Sequence, residues 1–380
     1  MSFSSVILSF FLYVSMAFSG GEVASFASAD VNEVAEFPVV SGEVQLINHE
    51  VKEKDGKKVV EAQVTNAGES RKVSVIIIGY DKENQAIETR GLNTFMGSGK
   101  KTTFTYPLLY GSQVVETKAF LADPTKEDVK IASLAYKQDG DSMVITAVVE
   151  NGIESGKYGI ALIGYDESGK AILTKGFNEF ISKGDIGNFG VKIKDETSVK
   201  SVVAKLIDVS HENVKLVSQA DRKVGNQIQV SAVVENISPS RNIGLYAVGY
   251  DVAGNPIVTR SANNFVPKQE LGSYTIPLRY GENVASINVF ISELPKNGAS
   301  LNGQAFYLNG TIMEASAVVS NGEKSDKYEV IATAVNAEGK VIESQKKDKF
   351  VSKHDASTYE FSFENGGGIK EVKFELKKAK

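Results

Sequence analysis

Asn66, Asn151, Asn236 and Asn321 stand 85 residues apart, and so do Phe95, Phe180, Phe265 and Phe350. Val64, Val149, Val234 and Val319 keep the same interval, as do Ile87, Ile172, Ile257 and Ile342, with no insertion or deletion between them. A chain that repeats this strictly is built from copies of one unit. Four units take up nearly all of its 380 residues.

Inside a unit the apolar residues alternate. Val60, Ala62 and Val64 are answered by Ile145, Ala147 and Val149, by Val230, Ala232 and Val234, and by Ala315, Ala317 and Val319. Val73, Val75 and Ile77 form a second alternating set. A period of two is that of a half-buried strand. In the first unit, strands are expected near Val44–Val51, Lys58–Asn66, Lys72–Asp81, Ala86–Phe95, Lys101–Leu108 and Val114–Leu121. No helical periodicity of useful length interrupts them. The expected fold is all-β, with four tandem immunoglobulin-like β-sandwich domains in an elongated row. The units are placed at 38–123, 124–208, 209–293 and 294–380, the last being divergent. A unit of this size can close its own core, and the short connections argue for limited freedom between units.

The N-terminus supplies a location. Val6–Phe18 is an apolar run shorter than the roughly 20 residues of a membrane-spanning helix and suited to a signal-peptide core, although no Lys or Arg precedes it. Residues 1–29 are therefore read as a signal peptide, and 30–37 as a linker. The absence of cysteine suits export and removes thiolate chemistry. The expected location is extracellular, at the cell surface, with no membrane span after signal cleavage. With 42 Lys+Arg against 47 Asp+Glu there is no basic excess to collect phosphate contacts, so nucleic acid is not an expected partner.

One stretch invites a catalytic or metal reading: "GYDKENQAI", "GYDESGKAI" and "GYDVAGNPI" begin at Gly79, Gly164 and Gly249. Asp81, Asp166, Asp251 and Asn336 hold the first loop position, and Asn84, Gly169, Gly254 and Gly339 the fourth. Asp or Asn accepting backbone N–H bonds, followed by a residue tolerant of positive φ, is the chemistry of a type I turn with a left-handed residue. A calcium loop needs alternating ligands and a distal Glu, which these segments lack. The Gly-Tyr-Asp pattern resembles the FxLYD-type domain, an immunoglobulin-like module of secreted and surface proteins, mostly bacterial. The first three units carry it as Gly79-Tyr80-Asp81, Gly164-Tyr165-Asp166 and Gly249-Tyr250-Asp251, while the fourth reads Ala334-Val335-Asn336. That resemblance implies no enzymatic activity and hence no catalytic residues.

Other chemical signatures are weak. His49, His211 and His354 fall at unrelated places in the repeat, and "MGSGKKT" at Met96–Thr102 lacks the first glycine of a phosphate loop. No catalytic residue, metal site or cofactor is expected. Acids near the unit boundaries (Asp123, Glu127, Asp128, Asp208, Glu212, Glu293) are spaced differently at each, which argues against a shared calcium bridge. "KKAK" at the C-terminus reads as a solvated tail. The most suggestive polar repetition is Asn93, Asn178 and Asn263, with Asp348 in the fourth unit, two residues before the shared Phe and near Arg90, Lys175 and Arg260. This column could line a recognition surface, or it could cap a strand turn while the Phe fills the core; the second reading is favoured. Functionally the chain is expected to be a non-enzymatic spacer or binding array for a surface polymer or protein, repetition supplying avidity. The alternative is a self-assembling subunit whose leader, "EFPVV" at Glu36–Val40, adds to an open sheet edge of another copy.

Overall fold

The computed structural model describes residues 43–379, apart from 123, 125–127, 195–196, 208–212, 293, 296–297 and 323. The signal-peptide and leader assignments, His211 and all the boundary acids except Asp128 therefore lie outside the described residues. The first repeat contains β1 (Val44–Lys54), β2 (Lys57–Asn66), β3 (Arg71–Tyr80), β4 (Ala86–Met96), β5 (Lys100–Pro107) and β6 (Glu116–Ala122). The second has β7 (Val129–Asp139), β8 (Ser142–Asn151), β9 (Gly156–Tyr165), β10 (Ala171–Ile181), β11 (Asp185–Ile193) and β12 (Ser201–Leu206). The third has β13 (Val214–Val224), β14 (Gln227–Asn236), β15 (Arg241–Tyr250), β16 (Pro256–Val266), β17 (Glu270–Leu278) and β18 (Ser286–Ile291). The fourth has β19 (Ala299–Asn309), β20 (Ile312–Asn321), β21 (Asp326–Val335), β22 (Val341–Val351), β23 (Ala356–Phe363) and β24 (Glu371–Lys378). The sole helical element among the described residues is one 3-10 turn, Gly366–Gly368.

Each repeat folds into two three-stranded antiparallel sheets, ordered β1-β2-β5 and β4-β3-β6 in the first and likewise in the others. Side chains from both inner faces meet in a core of its own. In the first repeat Val60, Ala62 and Val64 of one sheet face Val73, Val75 and Ile77 of the other, with Phe104 and Tyr106 between the layers. "KKAK" is not wholly a tail. Lys377 and Lys378 belong to β24, because Phe374 and Leu376 alternate inward against the fourth core and carry their neighbours along the strand.

The Asn landmark is the buried staple of each unit. Asn66, Asn151, Asn236 and Asn321 have no exposed surface. The Asn151 amide donates to the carbonyls of Glu154 at 2.8 Å and Ile181 at 3.0 Å, and its oxygen accepts from Ile153 N–H and the Tyr158 hydroxyl, each at 3.2 Å. Asn321 repeats the pattern with Lys324, Val351 and the Tyr328 hydroxyl. One side chain thus ties the β2–β3 turn of a unit to the end of its β4-type strand and satisfies backbone carbonyls that would otherwise be buried alone.

The Asp loops are turns. One Asp166 oxygen accepts from Ser168 N–H at 2.9 Å and Lys170 N–H at 3.0 Å, and Gly169 adopts φ +79°. Asp81, Asp251 and Asn336 do the same with their own loops. The Ser168 hydroxyl, followed by the backbone N–H of Lys170, holds the Asp166 carboxyl below the usual range.

Replacing Asn151 by Ala strands the Glu154 and Ile181 carbonyls in an apolar setting. We expect a loss of about 2–4 kcal/mol in urea unfolding, against less than about 0.5 kcal/mol for an exposed Asn such as Asn283.

Candidate interaction surface and the junctions that frame it

Residues of β4 alternate between two destinations. Leu92 and Met96 point into the first core, whereas Thr89, Gly91, Asn93 and Phe95 lie on the opposite face, towards the second repeat. That outer face is apolar. Ile76, Ile78, Tyr80 and Ala122 pack with Val148 and Ile186 of the second repeat, a core separate from either repeat's own. Ala161, Val233 and Leu271 make the corresponding cluster between repeats two and three. A bulge helps: the first strand of each unit slips register at Leu46/Asn48, Ile131/Ser133, Leu216/Ser218 and Asn302/Gln304. The extra residues Ala132 and Val217 pack into the first two junctions.

Polar groups fix the register of these junctions. Backbone N–H groups of β4, which have no strand partner on that side, are met by side chains of the next repeat. Thr89 N–H donates to Thr146 Oγ1 at 3.1 Å and Gly91 N–H to Asn188 Oδ1 at 2.7 Å. Thr174 and Gly176 repeat this with Ser231 and Ser273, and Thr259 and Ser261 with Ser316 and Thr358. The Asn column joins the same set. Asn93 Nδ2 donates to Ile186 O at 3.2 Å, Asn178 exchanges two bonds with the Leu271 backbone, and Asn263 exchanges two with the Ala356 backbone, each time across 93 residues. Contacts of this kind join the repeats into one compact unit.

Glycine is required where the approach is closest. A Cβ at Gly91 would lie 2.5 Å from Ile186 Cδ1, and one at Gly176 would lie 2.9 Å from Leu271 Cβ. At the equivalent place in the fourth repeat stands Lys346, and beside it Thr333 replaces Ile78, Ile163 and Val248, Glu329 replaces Ser74, Gly159 and Gly244, and Asp348 replaces the shared Asn. Glu329 and Lys346 pair at 3.4 Å on that face. It is a charged sheet face without the small residue (Gly91, Gly176 or Ser261) and the Asn of the other three.

Of the six candidate recognition residues, Asn93, Asn178 and Asn263 are thus engaged in junctions. The cations lie on the inner phase of the same strand, at its open side. Arg90 is exposed, Lys175 stands over the Phe177 ring at 5.6 Å, and Arg260 donates to Pro277 O at 3.4 Å. The expectation that the shared Phe fills the core is overturned. Phe95 is 69% exposed, Phe180 60%, Phe265 59% and Phe350 66%. The reason is phase, since each shares the outward phase of the Asn two residues before it, and the core position falls to the next residue, Met96, Ile181, Val266 or Val351. Directly across the ladder from the four Phe are Lys72, Lys157, Asn242 and Lys327. The first three bind an acid of the next repeat: Lys72 to Asp185 at 2.6 Å, Lys157 to Glu270, and Asn242 to Asp355 at 3.1 Å. Each repeat therefore presents its shared Phe exposed, and the first three set it beside a polar clasp on the following repeat.

The first repeat adds a buried carboxylate. Glu88 accepts from Leu109 N–H at 2.8 Å and from the Tyr106 hydroxyl at 3.3 Å. Burial, opposed by those bonds and by the charge of Lys137, pushes its pKa up. His49 bonds within its own repeat, from β1 across to Thr117 O on β6 at 2.9 Å. Among the described residues no group of three or more His, Asp or Glu could hold a metal ion, and no helix is long and apolar enough to cross a membrane.

Two predictions follow from these contacts. Gly176→Val should overpack the second junction at a cost of about 1–3 kcal/mol, read as faster limited proteolysis between repeats two and three. Because the Glu88 carboxyl binds its proton more tightly folded than unfolded, the wild type loses stability as pH rises from the unfolded value near 4 through the folded one. E88Q should therefore be the more stable protein in thermal melts at pH 7, the gap closing towards pH 4.

No family model matches the sequence, and no curated protein matches it. Among solved structures the chain is similar to Escherichia coli alpha-2-macroglobulin activated by porcine elastase, at 11% identity and a TM-score of 0.17, covering 88% of this chain and 44% of that one. It is also similar to dimeric latent PorU from Porphyromonas gingivalis, at 8% identity and a TM-score of 0.15, covering 80% of this chain and 41% of that one. The chain spans less than half the length of either, and likenesses this slight carry no argument about its function.

Proposed function

We propose that the protein is a non-enzymatic extracellular binding array, in which repeated units hold equivalent contact residues in register for a repetitive polymer. The observation that carries this reading is the fourfold exposed Phe. Core packing does not hold these rings, since the following residue fills the core. The junction does not account for them either, because Phe350 lies on the charged face of the fourth repeat, which lacks the junction residues. An aromatic side chain left in water four times over is a contact waiting for a partner. Extended polymers with a recurring apolar face, glycans above all, offer the same surface to each ring in turn. The secreted location belongs to this reading, as does the kinship with FxLYD-type modules.

The test is retention of the full chain on an array of immobilised extracellular polysaccharides, compared with chains carrying one, two or four Phe→Ala substitutions at residues 95, 180, 265 and 350. Affinity should fall by roughly five- to ten-fold per ring removed, in line with about 1 kcal/mol for an aromatic contact, while thermal melts stay unchanged. Equal retention of the fourfold variant, or no retention of the wild type on any polymer, would sink the idea.

A further inference from the structure

The side of the third and fourth repeats where β16 and β22 run past β17 and β23 carries an excess of positive charge. Arg260 on β16, Arg279 just after β17, and Lys347 and Lys349 on β22 gather around the carboxylates of Glu360 and Glu314. Four cations face two anions. The positions equivalent to Lys347 in the other repeats are Leu92, Phe177 and Ala262, and those equivalent to Lys349 are Thr94, Glu179 and Asn264. This is a local feature and not a consequence of the repeat.

The lysines are held in place. Lys347 donates to Glu360 O at 2.6 Å and stands over the Phe361 ring at 5.5 Å; Lys349 donates to Thr358 O and stands over Tyr359 at 5.2 Å. Burial, then the like charges of Lys347 and Arg260, hold the Lys349 amine below the usual lysine range against the pull of Glu360. The guanidiniums, by contrast, are under-used. Arg279 reaches Glu360 at 3.8 Å and Glu314 at 3.9 Å, and Arg260 Nε reaches Glu360 at 3.9 Å. Charge-assisted hydrogen bonds are about 2.7–2.9 Å long, so these are attractions across a gap. Beyond the Arg260 bond to Pro277 O at 3.4 Å, the planar donor forks keep N–H groups to offer a pair of oxygens from outside.

We propose that this side of the third and fourth repeats is an anion site for a sulfated or carboxylated glycan, with Arg260 and Arg279 contacting its acidic groups and Lys347 and Lys349 supplying the field. The proposal deepens the reading of the chain as a polymer-binding array and rests on it. Glu360 and Glu314 serve as placeholders that keep the guanidiniums oriented until a polymeric anion adds its own oxygens. The lysine stems, laid over aromatic rings, spend little further entropy on binding.

The full chain would be titrated by calorimetry at physiological salt with heparin, with polygalacturonate and with neutral dextran, alongside R260Q/R279Q and a charge-matched control, K373Q/K377Q, placed on the outer face of β24. We expect binding to at least one of the two acidic polymers, weakened about ten-fold or more in R260Q/R279Q and within two-fold of wild type in the control. Because heparin carries carboxylates as well as sulfates, binding of polygalacturonate shows that carboxylate suffices, and binding of heparin alone shows that sulfate is needed. No binding to either, equal loss in the control, or equal binding of dextran would overturn the site. The fourfold Phe variant, titrated in parallel, separates the two ideas: it tests the aromatic array without touching the guanidiniums, so either can fail alone.

Discussion

A three-stranded sheet has two faces, and one sandwich core covers only one of them. The architecture of this chain follows from how it treats the other. In β3 the run Val75-Ile76-Ile77-Ile78 is buried without a break, because odd residues enter the repeat's own core and even ones the junction. At about 25 cal/mol per Å2 of apolar surface, a few such side chains outweigh the entropy lost in fixing one repeat against the next. The hydrogen bonds of Thr89, Gly91 and Asn93 add little net energy and instead decide which of many apolar contacts is made. Their recurrence at the same separations makes each junction a copy of the one before.

Much of this was legible in the residues. The strict interval announced a repeated strand pattern, and alternation located the strands of the first repeat to within a few residues at most ends. The Asp loops could be assigned to turns from chemistry alone. The junctions were harder to see, although their signal is present. The segments "VSVIIIGY", "YGIALIGY" and "IGLYAVGY" are continuous apolar runs, the signature of a strand buried on both faces, whereas the fourth repeat reads "YEVIATAV" and alternates. In the first three the alternating core half is overlaid by the junction half, and the overlay masks the period of two. The shared Phe belongs to that second half, since its phase relative to Gly91 and Asn93 puts it outside the core.

What the residues could not disclose is which polar columns serve the fold. Asn66 and its counterparts are internal staples, Asn93 and its counterparts span two repeats, and both recur at the same interval. Periodicity is blind to the difference, since a contact within a unit and one between units repeat alike. Only the partner's identity, Met96 O in one case and Ile186 O in the other, separates them. The cationic group around Glu360 is invisible for a further reason: its members come from β16, β22, β23 and the end of β17, and no spacing in the chain links them.

The junctions also govern how such a chain yields to a pull. The next repeat's side chains occupy the outward N–H groups of β4, so prising two repeats apart uncovers an unpaired strand edge together with the apolar patch around Ile76 and Ile78. Rupture and stickiness are therefore the same event. A parted junction that does not reclose promptly offers its edge to any other parted copy.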